Sequence, residues 1–133
     1  MNIRNETIVR SKKSQLSAKE ILELAVTSLD DDKGKDIVTI DLAGKSSLAD
    51  HLVIVSGTSQ RQVVAMADHL MEKLKAAGLK GLMAEGKDQG DWVVVDAFDV
   101  IIHLFRPEVR EFYNLEKMWD GPASASADSE HIS

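Results

Sequence analysis

The chain has 133 residues, 44% of them hydrophobic, which is enough for one core of ordinary size and short for two domains. It contains no cysteine, so disulfides, thiolate metal sites and thiol nucleophiles are excluded together. Its formal charge of −6 argues against free nucleic acid as the primary ligand, since that affinity needs cations to neutralise phosphates, and favours a basic protein surface.

Residues 1–16 carry Arg4, Arg10, Lys12 and Lys13 with little apolar periodicity and read as a mobile tail. Ser17 followed by Glu20 is a capping-box signature, and Ile21, Leu24, Ala25, Ser28 and Leu29 share one helical face until Gly34 ends the helix. Two strands are expected next: a β-branched one over residues 36–42, and a nearly continuous apolar one, His51-Leu52-Val53-Ile54-Val55, covered on both faces. Gly57-Thr58-Ser59 opens a long helix with a Val63, Ala67, Leu70 and Leu74 stripe, and Gly78 stops it. A short strand around 82–85, a polar loop, and strands 92–96 and 100–105 follow, the last two close enough for an antiparallel hairpin. Pro107 suits the first turn of a helix that carries Val109, Phe112 and Tyr113, and Trp119 is expected to clamp that helix to the body. This order predicts an α/β fold, a mixed five-stranded sheet flanked by helices, in one domain over residues 17–120, with 121–133 a disordered tail.

No apolar run approaches the roughly 18 to 20 residues that span a bilayer, and no secretory pattern opens the chain, so a cytoplasmic protein with no membrane partner is expected. The Gly57-Thr58-Ser59 turn could hold a phosphate at a helix N-terminus, or it could simply be a tight turn with a cap; a Walker loop is excluded by its spacing. Asp96 and Asp99, with Glu85 across the sheet, are the carboxylates that a magnesium-dependent nucleotidyl-transferring enzyme would need, but they form no dense cluster. His51, His69, His103 and His131 show no metal-ligand spacing. His103 interrupts an apolar strand and reads as a structural histidine before a general base. Trp92, at the mouth of the hairpin, is either an interface anchor or a rim residue packing on Met83 or Val94. No catalytic residue, metal site or cofactor is assigned.

Several pieces occur in a fixed order: Asp36-Ile37, Ala49-Asp50, Gly57-Thr58-Ser59 with Arg61-Gln62-Val63, Glu85-Gly86, Asp91-Trp92, Asp96, Asp99-Val100 and His103. Arg110-Glu111-Phe112-Tyr113, Leu115-Glu116 and Met118-Trp119 complete the series. Together they resemble the Iojap family of ribosomal silencing factors. The resemblance implies a nucleotidyltransferase-like fold without catalytic carboxylates, and a binding protein instead of an enzyme. It implies binding to the large ribosomal subunit through ribosomal protein L-fourteen, steric block of small-subunit joining, repression of translation when nutrients are scarce, and a homodimer when free. By matching positions, Glu85, Trp92, Asp96, Asp99 and His103 are the partner-binding patch, and Arg61, Arg110 and Tyr113 its structural support. Two departures stand out: His51-Leu52 replaces residues that are often aromatic, and Phe98 replaces a turn glycine. A phenylalanine at positive φ would be strained, so a different turn type is expected there.

Overall fold

The computed structural model describes residues 16–113. Helix α1 (Ala18–Asp31) starts on the predicted capping box: Ser17 Oγ accepts the Glu20 backbone N–H, and Glu20 Oε1 accepts that of Ser17. Its apolar stripe buries Ile21, Ala25 and Leu29. Strands β1 (Lys35–Asp41) and β2 (His51–Ser56) follow, then helix α2 (Gln60–Ala76), strands β3 (Met83–Glu85), β4 (Trp92–Ala97) and β5 (Val100–Phe105), and helix α3 (Pro107–Tyr113). The five strands form one mixed sheet in the order β1-β2-β5-β4-β3. Only β2 and β5 run parallel; the other neighbours are antiparallel.

Side chains alternate across a sheet, so each strand contributes to two faces. On one face Val53 and Val55 of β2, Val93 and Val95 of β4, and Ile102 and Leu104 of β5 pack with Ile21, Leu29, Val63, Met66, Leu70 and Leu74 of α1 and α2. The other face has a smaller cluster of Leu52, Ile54 and Phe105 with Leu42 and Ala49 from the β1–β2 connection. Trp92, Ile101 and Val109 pack against it while keeping part of their surface in solvent. Strand β2 is therefore covered on both sides, which explains its unbroken apolar run. Towards β4 and β3 neither α1 nor α2 covers the second face among the described residues: Met83 is 58% exposed, and Glu85 and Asp96 are exposed beside it. The tails expected at 1–16 and 121–133, and the Trp119 clamp, lie outside the described residues except for Leu16, which packs against the main core.

Candidate functional site: an open sheet face

Strand register gathers most of the predicted patch into adjacent rows. Glu85 pairs with Val94 and Val94 with His103, while Met83 pairs with Asp96 and Asp96 with Ile101. At the end of the hairpin Trp92 lies opposite Phe105. Trp92 and His103 are thus diagonal neighbours, within reach of each other for large side chains. The indole Nε1–H of Trp92 donates to His103 Nδ1 at 2.9 Å. Its ring lies 5.1 Å from that of Phe105, tilted by 32°, and the His103 ring is stacked on Phe105 within 17° at 5.9 Å. Indole nitrogen can only donate, so Nδ1 must be the unprotonated nitrogen and the neutral imidazole carries its proton on Nε2. Burial favours the same state, pushing the His103 pKa down from 6.5 to about 4.

The carboxylates are placed less uniformly. Glu85 projects from the edge strand with no hydrogen bond or ion pair among the described residues. Asp96 is exposed, yet its Oδ1 accepts the Phe98 backbone N–H at 3.0 Å and so braces the β4–β5 turn. Asp99 sits in that turn and not in the rows of the face; its carbonyl oxygen accepts the N–H groups of Asp50 and His51. The turn corrects one expectation. Phe98 keeps φ at +64° while Asp99 does not share the positive sign, so the strained conformation is retained and no turn with ordinary φ replaces it. The Asp96 bond just described braces this conformation, and the Phe98 ring points to where a Cβ added at Gly81 would meet it at 3.4 Å.

Among the residues matched as supports, Arg110 is 9% exposed and its Nη1 donates to the buried Ser56 Oγ at 2.8 Å, tying α3 to the end of β2. Arg61 is exposed in the first turn of α2 with no hydrogen bond or ion pair among the described residues, so no such contact supports a bracing role. Tyr113 ends α3, but its side chain lies outside the described residues.

Residue-by-residue reading missed Asp91. Its Oδ1 accepts from Gln60 Nε2 and from Arg106 Nε, each at 2.9 Å, joining the start of α2, the start of β4 and the β5–α3 link. The Gln60 bond, and after it the Arg106 bond and charge, hold this carboxyl below its ordinary pKa against some desolvation. The one signal in the sequence was its place beside Trp92. Gln62 was missed as well. Its Oε1 accepts both the N–H and the hydroxyl of Thr58, and its Nε2 donates to the Asp32 carbonyl at 3.2 Å.

These bonds bear on the phosphate reading of the Gly57-Thr58-Ser59 turn. The Thr58 N–H is taken by Gln62, the Gly57 N–H by the Phe105 carbonyl, and Ser59 caps α2 by accepting from Gln62 N. Gly57 is small for packing: an added Cβ would lie 2.9 Å from both Val63 Cγ2 and Met66 Cε. The turn follows Ser56, opposite Phe105, whereas Asp99 precedes Val100 at the far end of β5. At 3.3 Å per residue, about 13 Å of strand therefore separates the turn from Asp96 and about 16 Å or more separates it from Asp99. The fold does not bring these groups together, and no three His, Asp or Glu among the described residues are grouped to hold a metal ion.

What remains is an α/β protein with one sheet face covered by α1 and α2 and the other carrying a partly exposed strip of Trp92, Val94, Ile101 and His103, with Glu85 and Asp96 exposed beside it. The model of the family described as "Ribosomal silencing factor during starvation" matches residues 15–133. Ribosomal silencing factor RsfS of Zymomonas mobilis is 51% identical over 123 residues, covering 88% of this chain and 92% of that one. The same-named protein of Haemophilus influenzae is 46% identical over 99 residues, covering 74% and 97%. A mouse protein named "Mitochondrial assembly of ribosomal large subunit protein 1" is 36% identical over 107 residues, 78% of this chain and 47% of that one. A crystal structure from Chromobacterium violaceum superposes with a TM-score of 0.77 at 41% identity, covering 80% and 89% of the two chains. The chain belongs to the family of ribosomal silencing factors.

Proposed function

We propose that this chain acts by docking its open β3–β4–β5 face on the large ribosomal subunit, at ribosomal protein L-fourteen, so that the small subunit cannot join and translation is repressed when nutrients are scarce. One observation carries the reading: register sets Trp92, Val94, Ile101 and His103 side by side on the sheet face turned away from α1 and α2, with Glu85 and Asp96 exposed beside them. An apolar centre with an aromatic anchor supplies desolvated contact, and a carboxylate rim steers a cationic partner. The names of the relatives, ribosomal silencing factor and mitochondrial large-subunit assembly protein, support the ribosome as the partner. The mechanism is occlusion, with no cofactor and no catalytic step. The protein works in the cytoplasm and forms a homodimer when free, a state the family resemblance implies. No helix among the described residues is long and apolar enough to cross a membrane.

Co-sedimentation with isolated large subunits tests the reading. Trp92→Ala and the charge reversal Asp96→Lys should each weaken binding by about tenfold or more while the chain stays folded. Binding by both variants at the level of the parent chain would remove this face from the contact.

A further inference from the structure

The bond between the Trp92 indole and the His103 imidazole goes beyond what a docking strip requires. We propose that His103 is a positioning residue: by accepting the indole N–H on Nδ1 it holds the Trp92 ring against Phe105 and satisfies its one polar atom within the chain. A partner then meets the ring as carbon surface and need not supply an acceptor. The inference rests on the docking reading above and adds to it the residue that makes Trp92 a preorganised contact.

Three observations converge. The first is the 2.9 Å bond itself, which Trp92 can make only as donor. The second is the register: with Trp92 opposite Phe105 and Val94 opposite His103, the imidazole reaches the indole diagonally while stacking within 17° on Phe105. The third is the placing of a polar ring at position 103, between Ile102 and Leu104 in a strand that is otherwise apolar from Val100 to Phe105. A phenylalanine there would keep the packing area and lose the acceptor. The indole N–H would then lose this acceptor, and the ring would be freer to turn. Holding an anchor side chain in one rotamer before contact lowers the ordering cost of association, and this is how a residue beneath a contact comes to control it.

Asparagine and glutamine separate this role from a merely structural one. The amide oxygen of Asn falls close to the position of Nδ1, whereas the Gln amide nitrogen falls close to Nε2. On the full free chain, exchange of the Trp92 indole N–H with solvent can be followed by NMR, its signal being identified by its loss in Trp92→Phe. Exchange should be slow in the parent chain and in His103→Asn, and faster by about tenfold or more in His103→Gln and His103→Phe. Binding to isolated large subunits should fall in the same order, and His103→Gln should add nothing to the loss already caused by Trp92→Ala. Equal exchange rates in the Asn and Gln variants, both folded by thermal unfolding, would overturn the positioning role. So would losses that simply add. Should His103→Phe fail to fold, the Asn and Gln pair decides alone. A parent chain that does not bind large subunits would sink the docking reading instead, while the exchange order still judges whether His103 sets the ring.

Discussion

At the scale of single residues, His103 links the site to pH. Its pKa is about 4 in the fold and 6.5 when exposed, so between these values the unfolded chain binds the extra proton and the native chain does not. The contribution is fully present above pH 6.5 and is lost as pH falls towards 4, with a slope of up to about 1.4 kcal/mol per pH unit. Denaturant unfolding between pH 4.5 and 7.5 should show this slope in the parent chain, and His103→Asn, which keeps an acceptor but cannot titrate, should flatten it. Asp91 acts in a lower window: its depressed pKa gives stability that is present above its ordinary value of 3.8 and fades only below it. Phe98 offers a second test. At φ +64° a β-branched residue is worse placed than phenylalanine, so Phe98→Val should cost about 1–2 kcal/mol. Phe98→Asn, better suited to that φ, should stay within about 1 kcal/mol of the parent; a larger loss would mean that the contacts of the ring outweigh the backbone strain. Residue types flagged Phe98 as standing at a turn-glycine position, but neither the turn that it adopts nor the Trp92–His103 bond was legible from them. The Trp92–His103 bond depends on a cross-strand register that sequence spacing leaves open, and the turn conformation is braced by the Asp96 bond to the Phe98 N–H.

At the scale of elements, local signals were the most readable. The Ser17 and Glu20 capping box starts α1 within one residue of expectation, and the two-sided apolar run of β2 announced a central strand. Local chemistry dictates both, whereas pairing does not. Nothing in the spacing said that β5 would lie parallel to β2, yet that neighbour relation sends the Gly57-Thr58-Ser59 turn and Asp99 to opposite ends of β5. Gly86 shows how one element holds the site. It turns the chain from β3 towards β4 at φ +93°, and a Cβ there would collide with the Trp92 carbonyl oxygen. Gly86→Ala should therefore destabilise the β3–β4 edge by about 2 kcal/mol or more and displace Trp92, because backbone strain and a backbone clash act together. Unfolding measurements and the Trp92 indole signal would register both effects. An unchanged midpoint and an unmoved signal would show that the turn has another way to relax.

At the scale of the whole molecule, the division of labour between the two sheet faces is the main result. Helices α1 and α2 cover one face and build the larger core, while the other face holds a smaller cluster around Phe105. In this arrangement β3, β4 and β5 present a partly exposed strip with carboxylates beside it, on a chain whose net charge of −6 already suits a cationic partner. Family membership, shown by relatives that match most of the chain, points to the ribosome, and in the proposed reading this face is the means of attachment. The central claim is that attachment alone blocks subunit joining, by occupying space. Purified large and small subunits should be mixed with saturating chain and resolved on a sucrose gradient, with Trp92→Ala as the control. The account predicts that the parent chain rides with the large subunit and joined particles fall steeply, while the variant leaves joining largely intact; undiminished joining with the parent chain bound at saturation would contradict it.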